Sequence, residues 1–413
     1  MRKVTGAGSG QDSGGGASGG GAGSVGGLRR LVRYFLVLGS TGFGGPIATV
    51  GYMQRDLVER RGWLDRQEFL NGVALGQTMP GPLAAQVTMW VGFLQRGALG
   101  ALAVSLAFIA PSFLFVLAVA VLYAHFSGLP VVQAVFYGVA PGVMAIIAIA
   151  AYKLAKLTNR RDLRLWAISA VLAVVTAATG AEIAVLFLAA GLLMIGLDAP
   201  PAFLRRPRAL PALALPALLA LPARPGRATS TAAAALGALA SGGTLVALAL
   251  FFLKTGAFTF GSGLAIVPFL REGVVAQHHW LNDRQFLDAV AMGLITPGPV
   301  VITATFIGYL TAGFAGAVVA TIAIFVPIYL GVVLPGRWFV RHKDNPQVQA
   351  FVKGATAAAA GALTGATVVL LRQVVVDLTT LVIAVATLGV LLRFKVKEPY
   401  VVLACAAAGI ALH

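Results

Sequence analysis

The sequence predicts an all-α polytopic membrane protein with two homologous halves, arranged as inverted-topology repeats that contain broken or re-entrant helices. Three observations lead to this fold class: the composition, an internal repeat and the placement of basic residues. Of the 413 residues, 58% are hydrophobic and 11% are charged, whereas soluble domains carry about 25% charged residues. Several apolar segments approach about 20 residues, the length that crosses the hydrocarbon core of a bilayer as a helix. The lipid bilayer is therefore the first partner that the sequence predicts.

An internal repeat divides the chain into two units. The stretch 43–82 contains FGGPIA, then the pattern W-L-x-x-x-x-F-L, then Pro-Gly-Pro, and the stretch 260–299 contains FGSGLA followed by the same two patterns. One offset pairs Trp63 with Trp280 and carries through both stretches without a gap. Agreement in a fixed register over this length indicates a duplicated unit.

The repeat sets the predicted domain boundaries. Residues 1–27 are mostly Gly, Ser and Ala without an apolar run, a composition typical of a flexible tail. The first membrane unit is predicted at 28–200 and the second at 244–413. Between them, the connector 201–243 begins rich in Pro and Arg and then becomes rich in Ala, which indicates a join between the two units.

The first two apolar segments of each unit are interrupted by glycine and proline. In the first unit the interruptions are the glycines around Pro46 and the run Pro80-Gly81-Pro82, and the second unit repeats both. In lipid, unwound backbone persists only where it is buried in protein or lines a cavity. Uninterrupted apolar segments are predicted at about 98–124, 131–152, 165–180 and 183–197, and again at about 312–335, 348–371, 378–392 and 399–412.

The basic residues indicate opposite orientations for the two units. In the first unit, five Lys or Arg residues follow the segment 131–152, while the loop 125–130 before it has none. In the second unit the bias is reversed: basic residues follow the segment 312–335, and Arg372 is the one that follows 348–371. Because Lys and Arg concentrate in cytoplasmic loops, corresponding loops of the two units are predicted on opposite sides of the membrane.

Composition also argues against several functions. The net charge of +17 would favour nucleic acid in a soluble protein, but the basic residues here flank apolar segments, so no nucleic-acid partner is predicted. Cys405 is the only cysteine, the five histidines lack metal-ligand spacing, and the chain has no P-loop. The sequence therefore predicts no cofactor and no metal, and it indicates a membrane transporter rather than an enzyme.

The Pro-Gly-Pro runs are the strongest candidates for a binding site. A proline inside a helix costs about 3 kcal/mol and removes a backbone donor, so each run ends one helix and starts another. The new half-helix exposes free N–H groups at the positive end of its dipole, and one such terminus from each unit predicts an anion site near the bilayer midplane. The alternatives are a purely structural kink and tight helix packing. The candidate substrate-binding residues are Lys254, Gly44, Gly45, Pro46, Thr78, Pro80, Gly81, Pro82, Gln86, Gly261, Ser262, Gly263, Thr296, Pro297, Gly298, Pro299 and Thr303.

Lys254 is the sharpest single candidate, since it lies within the apolar run FFLKTGAFTFG. A central lysine costs about 2.5–3.5 kcal/mol to insert, and the first unit has Val37 at the equivalent position. The prediction is a cation facing a bound anion, and the alternative is a lysine whose ammonium group reaches the membrane surface. For Asp288 and Glu182 the sequence leaves two interpretations, a proton carrier or a solvated carboxylate near a segment end, and favours the second.

The paired motifs resemble the chromate ion transporter family, in its long-chain, two-domain form. The resemblance rests on FGGPIA, ERRGWLDRQEFL and PGPLAAQ in the first unit and on FGSGLAIVPF, HHWLNDRQFLDAV and TPGPVVITATFIGYL in the second. It covers about residues 28–413, without the Gly-rich tail and the connector. The family implies a bacterial inner-membrane carrier that exports chromate, confers resistance and draws on the proton gradient rather than ATP. The chain departs from many family members at Leu83-Ala84-Ala85 and at Val37, which leaves fewer polar donors in the first unit.

The residues predict a multi-pass secondary carrier of an oxyanion, and the resemblance implies that it exports chromate across the bacterial inner membrane. Sulfate or another oxyanion is the nearer alternative, because the two dianions are similar in size and charge. A passive channel or an integral-membrane assembly partner is the alternative from another class. The predicted partners are chromate or a similar oxyanion and the bilayer, with a homodimer left open.

Overall fold

The helices were located in a computed structural model of the chain. It describes residues 27–42, 45–179, 184–200, 243–259, 263–342, 345–394, 396 and 398–412. Across these ranges the chain forms α-helices joined by short 3-10 and π-helical turns, and they contain no β-strand. The predicted all-α class is confirmed.

The two units contain corresponding series of helices. The first unit has α1 (Leu28–Thr41), α2 (Gly45–Met53, continued by a π-helical turn, Gln54–Arg60), α3 (Arg66–Thr78), α4 (Leu83–Phe126), α5 (Pro130–Asn159), α6 (Leu163–Thr179) and α7 (Ala184–Asp198). The second has α8 (Thr244–Ala257), a 3-10 turn (Gly263–Ile266), α9 (Val267–Arg271), a π-helical turn (Glu272–Gln277), α10 (Asp283–Ile295), a 3-10 turn (Val300–Ile302), α11 (Thr303–Val333), α12 (Gly336–His342), α13 (Pro346–Val374), α14 (Leu378–Arg393) and α15 (Glu398–Leu412).

Four helices of the described chain are long and apolar enough to cross a membrane. They are α4, α5, α11 together with the 3-10 turn before it, and α13. The helices α6, α7, α14 and α15 are apolar but shorter, with 15 to 17 residues each. Long spans in corresponding positions of both units agree with a duplicated membrane protein.

Both α4 and α11 contain a reversal of chain direction. Gly97 has φ +59° and ψ −144°, and its equivalent Gly313 has φ +63° and ψ −153°. A straight helix would separate Thr305 and Thr321 by about 24 Å, yet their hydroxyl oxygens are 2.7 Å apart. We therefore divide α4 into α4a (83–95) and α4b (98–126), and α11 into α11a (303–311) and α11b (314–333).

The Pro-Gly-Pro runs form the tips of re-entrant hairpins. In the first unit, the indole N–H of Trp90 on α4a donates to the carbonyl of Glu68 on α3 at 3.0 Å. The two helices are therefore antiparallel neighbours, and the start of α3 and the end of α4a form the base of the hairpin. The second unit repeats this with α10 and α11a, where Gly293 packs against Thr303. We call the α3–α4a pair hairpin 1 and the α10–α11a pair hairpin 2.

The glycine-interrupted segments form a second pair of re-entrant hairpins. Tyr34 on α1 contacts Trp63, which follows α2, with ring centroids 6.4 Å apart. The equivalent residues of the second unit, Phe251 and Trp280, have ring centroids 5.6 Å apart. In both units the chain thus returns to the membrane face from which it entered.

The two units have opposite orientations. The base of hairpin 1 lies at the start of α4b, where Gly92 packs against Gly100. The base of hairpin 2 lies at the other end of α4b, where the Tyr123 hydroxyl donates to Asp288 at 2.7 Å. Because α4b is about 43 Å long, the two hairpins enter from opposite sides. The inverted repeat is confirmed.

The last helices of each unit pack on the other unit. Helices α6 and α7 pack against α13, while α14 and α15 pack against α5. Small residues allow these close approaches: Gly361 of α13 touches the backbone of α6, and Gly138 of α5 touches the backbone of α15. The halves are therefore interlocked.

The two membrane faces of the protein differ in charge. The basic side, which holds the base of hairpin 1, carries most of the described Lys and Arg residues, whereas the opposite side, which holds the base of hairpin 2, carries few. Residues on the basic side include Arg29, Arg30, Arg33, Arg60, Arg61, Arg66, Arg96, Lys156, Arg160, Arg161, Arg164, Lys353 and Arg393, and those on the opposite side include Arg271, Arg284 and Arg372. An unequal distribution of Lys and Arg between the two faces is typical of membrane proteins.

Candidate functional site

The hairpin tips meet in the middle of the protein, and each tip contacts the other unit. The backbone N–H of Gly81 donates to the carbonyl of Thr259, which ends the α8 segment, at 2.5 Å. The hydroxyl of Ser112, at the centre of α4b, donates to the carbonyl of Pro297. Ser112 and Thr259 are fully buried, so these junctions lie inside the protein rather than against lipid.

Gly263 brings the two tips next to each other. A Cβ atom on Gly263 would lie 3.5 Å from the Cβ of Val300 in hairpin 2 and 3.7 Å from the Cβ of Pro82 in hairpin 1. The central glycines of the two runs, Gly81 and Gly298, have φ +140° and +106°, a backbone region that only glycine enters readily. The conformation of the tips thus requires glycine at the centre of each Pro-Gly-Pro run.

Each tip starts a half-helix whose first turn has no side-chain cap. Pro82 precedes α4a and Pro299 precedes the 3-10 turn that leads into α11a, and neither position has a side-chain hydrogen bond to the helix. The first N–H groups of a helix lack intrahelical partners and carry partial positive charge. Two such ends converging on Gly263 form a centre suited to an anion.

The hydroxyl and amide candidates brace the tips. Thr78, Thr296 and Thr303 each donate their hydroxyl proton to a carbonyl of their own segment, at 2.7, 2.5 and 2.8 Å. Gln86 is buried, and its Nε2 donates to the carbonyl of Pro80 at 2.8 Å. Among the described residues, the donors left for a ligand at the tips are therefore backbone N–H groups.

Some of the predicted site residues cannot be placed. Gly44, Gly261 and Ser262 lie outside the described residues, as does Glu182. Gly45 and Pro46 begin α2, so the first glycine-rich interruption continues directly into a helix.

Lys254 lies on α8, five residues before the junction at Thr259, which corresponds to about 7.5 Å along the helix. Its side chain is exposed and makes no ion pair with any residue in the described ranges. The equivalent Val37 is 55% exposed. Lys254 is therefore near hairpin 1 along the helix, on a face of α8 that other helices leave open.

A cavity of about 620 Å³ adjoins the tip of hairpin 2. Ser40, Pro111, Phe115, Pro297, Tyr400 and Leu403 contribute to its wall, which is mainly apolar. Ser40 lies one turn after Val37 on α1. In the repeat, Lys254 is equivalent to Val37, so its position relative to hairpin 1 corresponds to that of Val37 relative to hairpin 2.

Comparison with known proteins decides the family. The profile of the family described as chromate transporter matches residues 29–196 and 246–410. The chain belongs to the chromate transporter family. Its relatives include the chromate transport protein of Cupriavidus metallidurans, which is 49% identical over 94% of this chain and 93% of the relative.

Two further relatives extend the comparison. The probable chromate transport protein of Synechococcus elongatus is 47% identical over 93% of this chain and 95% of the relative. The chromate transport protein of Pseudomonas aeruginosa is 32% identical over 84% of this chain and 82% of the relative. No solved structure matches the chain.

In this chromate transporter family member, Asp288 does not have the environment that the sequence predicts. The sequence favours a solvated carboxylate, but Asp288 is only 2% exposed, because α4b and α5 of the first unit cover the base of hairpin 2. The sequence does contain one indication that Asp288 is unusual: the equivalent residue of the first unit is the uncharged Asn71. Ser112, which contacts the tip of hairpin 2, was also missed, since nothing in the sequence sets it apart from other serines in apolar helices.

Proposed function

We infer that this member of the chromate transporter family is a secondary active carrier that exports chromate from the cytoplasm across the bacterial inner membrane, uses the proton gradient and confers chromate resistance. Family membership and the named function of its relatives support chromate as substrate. The concentration of Lys and Arg on one face supports an orientation in which the bases of α1 and hairpin 1 face the cytoplasm.

The observation that carries this proposal is the convergence of two uncapped half-helix ends, one from each unit, on Gly263. A tetrahedral dianion between them would accept hydrogen bonds from backbone N–H groups of both tips. Lys254 would neutralise part of its charge from the open face of α8. The remaining candidates, Gln86 and the threonines, would hold the tips in shape.

The inverted arrangement supports transport by alternating access. Hairpin 1 separates the tips from the basic side and hairpin 2 separates them from the opposite side, because the two hairpins enter from opposite ends of α4b. A movement of either unit against the other would open one path while the second stays closed. A continuously open channel would need both paths at once, and the buried contacts at Ser112 and Thr259 oppose that.

Flux of labelled chromate into proteoliposomes, with and without an imposed pH gradient, tests the function. We expect chromate uptake that the purified protein accelerates and that a gradient with an acidic lumen increases. Labelled sulfate in parallel vesicles distinguishes a chromate carrier from a carrier of several oxyanions. Chromate flux equal to that of protein-free vesicles under every condition would contradict the proposal.

The domain boundaries and a homodimer stay predictions.

A further inference from the structure

A small polar pocket lies at the base of hairpin 2, about one helix length from the tips. Its volume is about 180 Å³, and it is open to the outside of the protein on the side opposite the basic side. Asp288, Arg284 and Gln285 of α10 line it together with Tyr123 of α4b and Gln133 of α5. The pocket therefore sits between the two units and brings solvent to a carboxyl group.

Asp288 forms the inner wall of this pocket. It is 2% exposed, and Tyr123 donates to its Oδ2 at 2.7 Å. Tyr123 and Arg284 are the titratable and charged groups that face it in the described part of the chain. The other neighbours carry no charge: Gln133 and Phe136 come from α5, and Phe306 of α11a packs on the ring of Tyr123.

The first unit has an uncharged version of the same position. Arg284 and Asp288 are equivalent to Gln67 and Asn71, and there the amide of Gln67 donates to the Oδ1 of Asn71 at 3.2 Å. Both positions are thus polar at the base of both hairpins. In hairpin 2 they hold a charged and a titratable residue, Arg284 and Asp288. A buried carboxyl group that packing does not require is a marker of proton transfer in membrane proteins.

The contacts of this pair connect the two units. Tyr123 ties Asp288 to α4b, and Arg284 donates to the carbonyl of Gln133 on α5 at 3.2 Å. Helix α10 continues from Asp288 directly to the tip at Pro297. A change of charge on Asp288 therefore acts on the attachment of the helix that carries one half of the anion centre.

We propose that Asp288 binds and releases the proton that is coupled to transport, with the water of the pocket as the proton source. One proton adds to the Asp288 carboxylate from the side opposite the basic side. The same proton leaves Asp288 toward the basic side when the units have rearranged, so that no other group is consumed. This rests on the proposed function and adds to it the residue that senses the gradient.

The orientation of the pocket agrees with proton-driven export. If the basic side faces the cytoplasm, the pocket opens to the outer side, where the proton gradient of the proposed function keeps protons concentrated. A proton that enters there moves against the direction of chromate. At the base of hairpin 1, the position equivalent to Asp288 is the uncharged Asn71.

The test compares Asp288→Asn with a matched Tyr–Asp pair elsewhere. Asp377 also accepts from a tyrosine, Tyr137, at 2.6 Å on the same side, but it lies at the surface, where the backbone N–H of Thr380 and then the Tyr137 hydroxyl hold its pKa below the usual range. Asp377→Asn is therefore the control. Each purified variant is assayed for chromate–chromate exchange at equal pH and for chromate uptake into vesicles with an acidic lumen.

We expect the wild type and Asp377→Asn to respond to a gradient of about one pH unit with an uptake increase of several-fold, up to about tenfold. Asp288→Asn should keep chromate–chromate exchange and lose this increase. A gradient response in Asp288→Asn equal to that of the wild type would overturn the assignment while leaving the proposed function intact. Absence of exchange in the wild type would instead overturn the proposed function.

Tyr123→Phe provides a second readout if Asp288→Asn does not fold. It removes the hydroxyl that stabilises the charged carboxylate and leaves the ring that packs on Phe136 and Phe306. We expect the pH of half-maximal chromate uptake to move to higher pH. An unchanged midpoint would count against Asp288 as the proton-binding group.

Discussion

At the residue scale, the charge of Lys254 is the feature most open to test. It is the described lysine nearest the junction of hairpin 1 with α8, and no carboxylate in the described chain pairs with it. An unpaired lysine in an apolar segment is costly unless it serves a ligand or reaches the surface. The two interpretations make different predictions for transport.

If Lys254 faces the anion, Lys254→Ala should raise the chromate concentration for half-maximal uptake by about tenfold or more, because a charge-assisted contact is worth roughly 1.5–3 kcal/mol. Lys254→Arg should retain most of the affinity. Lys156→Ala, at an exposed lysine on the basic side, serves as the control in the same proteoliposome assay. Wild-type affinity in Lys254→Ala would assign Lys254 to the membrane surface.

Gly298 is the residue whose conformation most constrains the tip of hairpin 2. Its φ of +106° strains any other residue, and a Cβ atom there would collide with the Oγ of Ser112. Gly298→Ala should therefore lower the thermal unfolding midpoint and reduce chromate uptake by about tenfold or more. Gly389→Ala, in α14 with no atom near the added methyl group, should leave both unchanged. Equal behaviour of the two variants would contradict the tip geometry.

At the element scale, the half-helices depend on the prolines that interrupt them. With Ala in place of Pro80 or Pro297, the helix before the tip can continue into the loop, because the missing N–H is restored. We expect both variants to insert and purify normally and to lose most chromate uptake. Pro130→Ala is the control, since Pro130 occupies the first turn of α5, where proline is tolerated. Full uptake in both tip variants would argue that the tips are structural.

The sequence predicted much at this scale. The repeat located the hairpin tips, and the predicted start of an uninterrupted segment at about 98 coincides with the reversal at Gly97. Hydropathy could not show that the interrupted segments are re-entrant, because a kinked span and a folded-back pair have the same composition. The burial of Asp288 was also beyond the sequence, since the residues that cover it belong to the other unit.

At the scale of the whole molecule, the inverted repeat places particular residues on opposite faces. Asp198, at the end of α7, pairs with Arg164 at 2.9 Å on the basic side. Thr244 begins α8, which runs from the opposite side toward the tips. The charge bias in the sequence predicted this inversion. The packing of α6 and α7 on α13 could not be predicted, because the sequence of each helix alone does not show which helix of the other unit it contacts.

Labelling of introduced cysteines in cells tests this topology. In a Cys405→Ser background, which removes the only native cysteine, Asp198→Cys should react with a membrane-impermeant maleimide only after the cells are opened. Thr244→Cys should react in intact cells. Arg66→Cys, at the exposed start of α3 on the basic side, should behave like Asp198→Cys. Reaction of all three from the same side would rule out the inversion.

The exchange of helices between the units bears on how such a protein could arise. Helices α6 and α7 cover α13, and α14 and α15 cover α5. In a lone half, the long helix α5 or α13 would therefore have an uncovered apolar face, and the last two helices would lack the long helix on which they pack. A lone half would therefore need a second copy in the opposite orientation to bury these surfaces. Joining the two units in one chain supplies that partner at a fixed ratio and lets the units differ, as they do where Lys254 and Asp288 are equivalent to Val37 and Asn71.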